Sequence, residues 1–116
     1  MRVVDGMVAV VKPRKPFLDW LEALPDPVKG VTLAQLGEDC MTFIIPSYDS
    51  MNDALDHVYG DYEIIFELEL AGWWEEESDW PKDRTLKMFK DWFAVEIHSM
   101  VYALGLDGAD AEGEGV

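Results

Sequence analysis

Glu96 and His98 are the two residues whose types and spacing come closest to chemistry. They stand two positions apart in Asp91-Trp-Phe-Ala-Val-Glu-Ile-His-Ser-Met-Val-Tyr-Ala-Leu104. In an extended segment alternate side chains leave the same face, so the carboxylate and the imidazole could reach one ligand or one proton. Such a pair suits general acid–base work or metal ligation. Two ligands are too few for zinc, which takes three or four from a protein. His57, Cys40 or another carboxylate would have to complete the set, and no HExxH or CxxC spacing arranges that. The sequence therefore implies neither a metal site nor a cofactor. The plainer reading of Glu96 and His98 is a sheet-surface pair, or a histidine hydrogen-bonded to a neighbouring strand.

Lys12, Arg14 and Lys15 surround the expected start of a helix, where backbone N–H groups can hold an anion. They serve equally well as counter-charge within a very acidic chain. Tyr102 falls on the expected face of Glu96 and His98 and joins the three bases as a ligand-binding candidate. Pro13-Arg-Lys-Pro16 has PxxP spacing, but between a strand and a helix it reads as a connector. Trp73, Trp74 and Trp80, with Glu75–Glu77 between them, have the types of an aromatic cage for a cation. Large aromatics more often plug the end of a core. Nothing marks Cys40 as a nucleophile, and no glycine-rich phosphate loop, nucleophile elbow or triad pattern occurs.

These residues must be positioned by a small set of elements. Residues 91–104 alternate over their length and read as one long strand, with Phe93, Val95, Ile97, Val101 and Ala103 facing a helix layer. Ala94, Glu96, His98, Met100, Tyr102 and Leu104 take the other face, which mixes charged, polar and apolar groups. Residues 1–6 read as a loose lead-in and Met7–Lys12 as a short β-branched strand. Pro16 suits the first turn of a helix that carries Phe17, Trp20, Leu21 and Leu24 on one stripe. Thr32-Leu-Ala-Gln35 has capping-box spacing and predicts a short helix over 33–38. A second strand follows over Met41–Pro46.

Ser50 is the expected cap of the longest helix, about 50–71, with Met51, Leu55, Val58, Tyr62, Ile65 and Phe66 on its buried stripe. Asp53, Asp56, Asp61, Glu63, Glu67 and Glu69 are assigned to its other sides, and Gly60 is a place where it could kink or break. Pro81 is expected to open a last helix running to about Trp92. The order β-α-α-β-α-α-β predicts a two-layer α+β fold: a small three-stranded sheet with helices mainly on one face, its strand order left open, though the last strand is long enough to be central. Residues 1–104 are expected to form a single domain. Residues 105–116, glycine-rich and acidic, are expected to be a disordered tail.

The chain has 116 residues and a formal charge of −15, from 24 acids against 9 bases. Phosphate binding needs a basic field, so nucleic acid is not an expected partner, nor is an anionic membrane surface. One cysteine excludes an internal disulfide, and no apolar run suits a signal peptide or a membrane helix. The expected location is the cytoplasm.

Val8-Ala-Val-Val-Lys-Pro-Arg-Lys-Pro-Phe-Leu-Asp-Trp-Leu21 resembles the opening of an uncharacterised family of short acidic bacterial proteins, as do Trp80–Phe93 and Glu96-Ile-His-Ser-Met100. The resemblance covers roughly residues 8–104. It implies a prokaryotic, single-domain, cytosolic protein and carries no catalytic residue with it. Two functions are then expected to compete. One is a non-enzymatic interaction module that uses an open sheet face to hold a basic protein partner or a second copy. The other is a small enzyme or ligand-binding protein built on Glu96 and His98, with an anion site near Arg14. A cleft joining those groups would favour the second; a flat face with Met100 and Tyr102 exposed would favour the first.

Overall fold

Alternation in Met7–Pro13 is strict, and the computed structural model, which describes residues 1–105, makes this segment the middle of the sheet. Met7, Ala9 and Val11 face the core from this strand, here β2, while Val8, Val10 and Lys12 are half-buried on the opposite face. Arg2–Val3 precedes it as β1. Helix α1, Lys15–Glu22, carries Pro16 in its first turn and buries Phe17, Leu18 and Leu21. Helix α2, Leu33–Glu38, carries the expected capping box: Thr32 Oγ1 accepts from Gln35 N at 3.1 Å, and Thr32 N donates to Gln35 Oε1 at 2.9 Å. Strand β3 is Met41–Ile45.

Helix α3, Met51–Gly60, is capped by Ser50, whose Oγ accepts from Asp53 N at 3.1 Å. Helix α4 is Tyr62–Ala71 and α5 is Leu86–Trp92. Strand β4, Phe93–His98, follows α5 without a break, and β5 is Tyr102–Ala103. The fold is α+β, with a three-stranded antiparallel sheet in the order β3-β2-β4 and its helices packed on one face. No helix among the described residues is long and apolar enough to cross a membrane.

The core is aromatic at its centre. Phe93, at the start of β4, meets Phe17 of α1, Phe66 of α4 and Phe89 of α5 with ring centroids 5.4, 5.3 and 5.2 Å away. One strand residue thus fastens three helices to the sheet. Tilted and edge-on pairs of this kind contribute about 0.5–1.5 kcal/mol each beyond the area they bury.

Several expectations need correction. Strand β2, not the last strand, is central, and β4 is an edge. Asp91 and Trp92 belong to α5, and the extended run stops at His98. It resumes as β5 because the lead-in is not loose: β1 pairs with β5. The register slips by one residue in between. The β2–β4 ladder sets Val8 opposite His98, which would bring Ala103 opposite Val3; Ala103 stands opposite Arg2. The extra residue lies on the lead-in side, between Val4 and Val8, where Gly6 N donates to Val4 O at 3.0 Å and the chain bulges.

The long helix is two helices, separated at Asp61, whose φ of −107° and ψ of 20° are not helical. Met51 is exposed, whereas Glu69 is buried with Ile65, Phe66 and Leu70. The last helix begins at Leu86 and not at Pro81, because Asp83 adopts a left-handed φ of 54° and Thr85 then caps it through Met88 N at 3.2 Å. The expected tail lies outside the described residues, apart from Gly105.

Candidate functional site

The outer face of the sheet is built by the ladder itself. Val8 stands between Ile44 and His98, Val10 between Thr42 and Glu96, and Lys12 opposite Ala94. Lys12 Nζ lies 2.9 Å from Glu96 Oε2, and His98 Nε2 lies 3.5 Å from Glu96 Oε1. The hydrogen bond from Lys12, then its charge, holds the Glu96 carboxyl below the usual carboxylate range; the same bond pushes the Lys12 ammonium up. All three groups are in solvent contact, so they form a surface charge row over an apolar floor.

The other candidates are placed elsewhere. Arg14 is the N-cap of α1, with its backbone N–H donating to Trp92 O at 2.7 Å, and Lys15 pairs with Asp19 one turn along the helix. Tyr102 stands opposite Val3 and is exposed, as is Met100. His57 has different partners: Tyr48 Oη is 2.6 Å from its Nδ1, and Asp61 Oδ2 is 3.9 Å from its Nε2. Among the described residues no group of three or more His, Cys, Asp or Glu could hold a metal ion.

The tryptophan-rich loop divides its work. Trp80 is buried and donates from Nε1 to Trp74 O at 2.7 Å, and Trp74 donates to Asp79 Oδ2 at 3.0 Å. Both pack against the core, and the Arg84 guanidinium lies 5.7 Å from the Trp80 ring centre. Trp73 lines a cavity.

Two hollows were not anticipated. The first, about 180 Å³, lies between β3 and the corner where α3 meets α4. It touches the consecutive residues Phe43, Ile44 and Ile45. Successive strand residues face opposite ways and β2 occupies one side of β3, so a groove that reaches all three opens along the free edge. Its lining is mostly apolar, with His57 and Asp61 at one side, and much of it is exposed: Ile44 is 71%, Ile64 62% and Leu68 46% accessible.

The second hollow, about 290 Å³, lies at the other end of β3, against Cys40, Leu36 and Trp73. Glu69 forms part of its wall while only 3% exposed, and its Oε2 has no hydrogen-bond partner among the described residues. Burial alone pushes the Glu69 carboxyl up from 4.5 to about 7. The signal for Glu69 was present in the spacing. It follows Tyr62, Ile65 and Phe66 by seven, four and three positions, which places it on the apolar stripe and not among the solvated acids.

No family model matches the chain, no curated protein matches it in sequence, and no solved structure matches it.

Proposed function

We propose that this protein is a non-enzymatic interaction module that receives an extended, basic and apolar protein segment along β3. The observation that carries the reading is an edge that nothing guards among the described residues. Proteins commonly protect edge strands with charges, prolines or bulges. Strand β4, at one edge, carries Glu96 and His98. Strand β3, at the other, is Met-Thr-Phe-Ile-Ile, with no charge and no proline. Beside it runs the apolar groove that α4 completes with Ile64 and Leu68.

An added strand would use main-chain hydrogen bonds for affinity and would place alternate side chains in the groove and beside Thr42 and Ile44 on the outer face. The chain's charge of −15 favours a basic segment over a second, equally acidic copy. The open face of Lys12, Glu96 and His98 supports this reading better than acid–base catalysis, because those side chains spread over a solvated surface and line neither hollow described above.

The test uses a ten-residue peptide of alternating valine and lysine, titrated into the protein at low and physiological salt. Binding should appear, weaken with salt, and be lost in Ile44→Lys, whose exposed position leaves the fold intact. A peptide of equal charge with proline in place of valine loses every valine N–H and the valine side chains that would enter the groove, and should bind at least tenfold more weakly. Equal binding of the two peptides would refute strand addition. A dimer that Ile44→Lys dissociates would assign the edge to a second copy instead.

A further inference from the structure

Glu69 is an unusual residue to find inside this protein. Helix α4 already fills its inward face with Ile65, Phe66 and Leu70, so the core does not need a carboxyl there. A carboxyl taken out of water without a partner is costly, and it persists where something compensates or where it serves a ligand. No basic side chain is among the residues that surround the hollow onto which Glu69 gives.

The walls narrow the choice of ligand. Asp39 and Cys40, from the turn between α2 and β3, are the titratable groups that share the lining with Glu69. Strand β2 contributes Pro13, β3 contributes Met41, and the segment after α4 contributes Gly72 and Trp73. Two carboxyls and no base disfavour any anion. Burial pushes the Cys40 thiol up, so it stands as a neutral wall rather than a thiolate. A metal ion would need a third donor in range, and the described residues form no such set. Trp73 offers the remaining clue, since a carboxylate beside an indole face suits an organic cation.

Space continues outward. A further hollow of about 290 Å³ shares Leu36, Asp39 and Trp73 with the Glu69 hollow and extends to Val31 and Gln35. Together they form a channel in which Glu69 lines one part and Asp39 stands with Leu36 and Trp73 where the two hollows meet. Each hollow alone is close to the lower limit of small-molecule pockets, about 300 Å³. We propose that this channel binds a small primary amine as its ammonium ion, with the nitrogen on Glu69 and Asp39 and the carbon body between Leu36 and Trp73. The site is separate from the β3 edge groove and stands whether or not a strand docks there.

Binding then has a proton signature. Glu69 titrates near 7 when the site is empty, and an ammonium ion beside it favours the carboxylate, so the amine expels a proton from the protein below that pH. Calorimetric titration with 2-phenylethylammonium, in buffers of different ionisation enthalpy, reads both affinity and protons released. One ligand should bind per chain, the affinity should rise toward tenfold per pH unit below pH 6 and level off above pH 8, and a proton should leave at pH 6. Glu69→Gln keeps the size and removes the charge; it should lose at least tenfold in affinity and all proton release. Asp39→Asn should weaken binding but keep the proton release. Equal binding of the neutral 2-phenylethanol, or unchanged affinity in Glu69→Gln, would overturn the proposal. So would the absence of any binding in the wild-type protein, where folding is not in question.

Discussion

Replacing Glu69 by glutamine is expected to stabilise the protein, and to do so only where the carboxyl would ionise. The sign follows from the direction of the shift. The folded-state value is raised from 4.5 to about 7. Below pH 4.5 the carboxyl is protonated in both states and costs nothing. Between pH 4.5 and 7 the unfolded chain ionises while the folded one resists, so stability falls as pH rises. Above pH 7 the full penalty is present. A displacement of roughly 2.5 units at about 1.36 kcal/mol per unit makes that penalty about 3 kcal/mol. Glu69 is only 3% exposed, so solvent screens little of it. For a domain of this size about 3 kcal/mol corresponds to a rise of more than roughly 10 °C in Tm. Urea denaturation of wild type and Glu69→Gln at pH 4.5, 6 and 8 should give a difference near zero, then intermediate, then full. Glu96 moves the opposite way, because its carboxyl is held low by Lys12, but it is common to both proteins and cancels in the difference. Parallel pH profiles, or a less stable variant at pH 8, would refute the reasoning by showing that the carboxylate has a partner.

Other substitutions read the packing. In Gly6→Ala the new Cβ would stand 2.8 Å from the Ile45 carbonyl oxygen, a backbone atom that cannot yield, and unfolding experiments should show a loss of about 1–3 kcal/mol. Gly60→Ala meets nothing within 4 Å at the end of α3 and should gain about 0.4–1 kcal/mol in the same assay. Arg84 donates to Pro81 O at 2.8 Å and to Glu67 Oε2 at 3.1 Å while its guanidinium lies 6.0 Å from the Phe66 ring centre. Arg84→Lys, which lacks the planar fork, should therefore lower stability by about 1 kcal/mol, measured by denaturant midpoint. With 24 acids against 9 bases, Tm should rise from low to physiological salt; a fall would mean that pairs such as Lys12–Glu96 outweigh the general repulsion.

What the sequence made legible is what side-chain period encodes. The inward set Phe93, Val95 and Ile97 and the outward set Glu96 and His98 follow from alternation alone, and the Thr32 and Ser50 caps follow from local chemistry. The end of β4 was hidden because Val101 and Ala103 keep the same alternation after the slip, and only the pairing with β1 reveals the break. Gly60 marked where the long helix could divide, and the break falls beside it at Asp61, but the apolar stripe continues from Val58 through Tyr62 to Ile65 and so left the division undecided. Glu69 was masked by the many solvated acids on the same segment. The bare edge of β3 depends on strand order, which no local pattern records.

Amide hydrogen exchange of Met41–Ile45, with and without the alternating valine–lysine peptide, shows whether a strand adds to β3. Strand addition predicts that the peptide slows exchange at the alternate β3 amides that point away from β2, while β4 amides exchange as before and Ile44→Lys removes the effect. Protection confined to β4, or spread evenly over the acidic helices without change at β3, would contradict it.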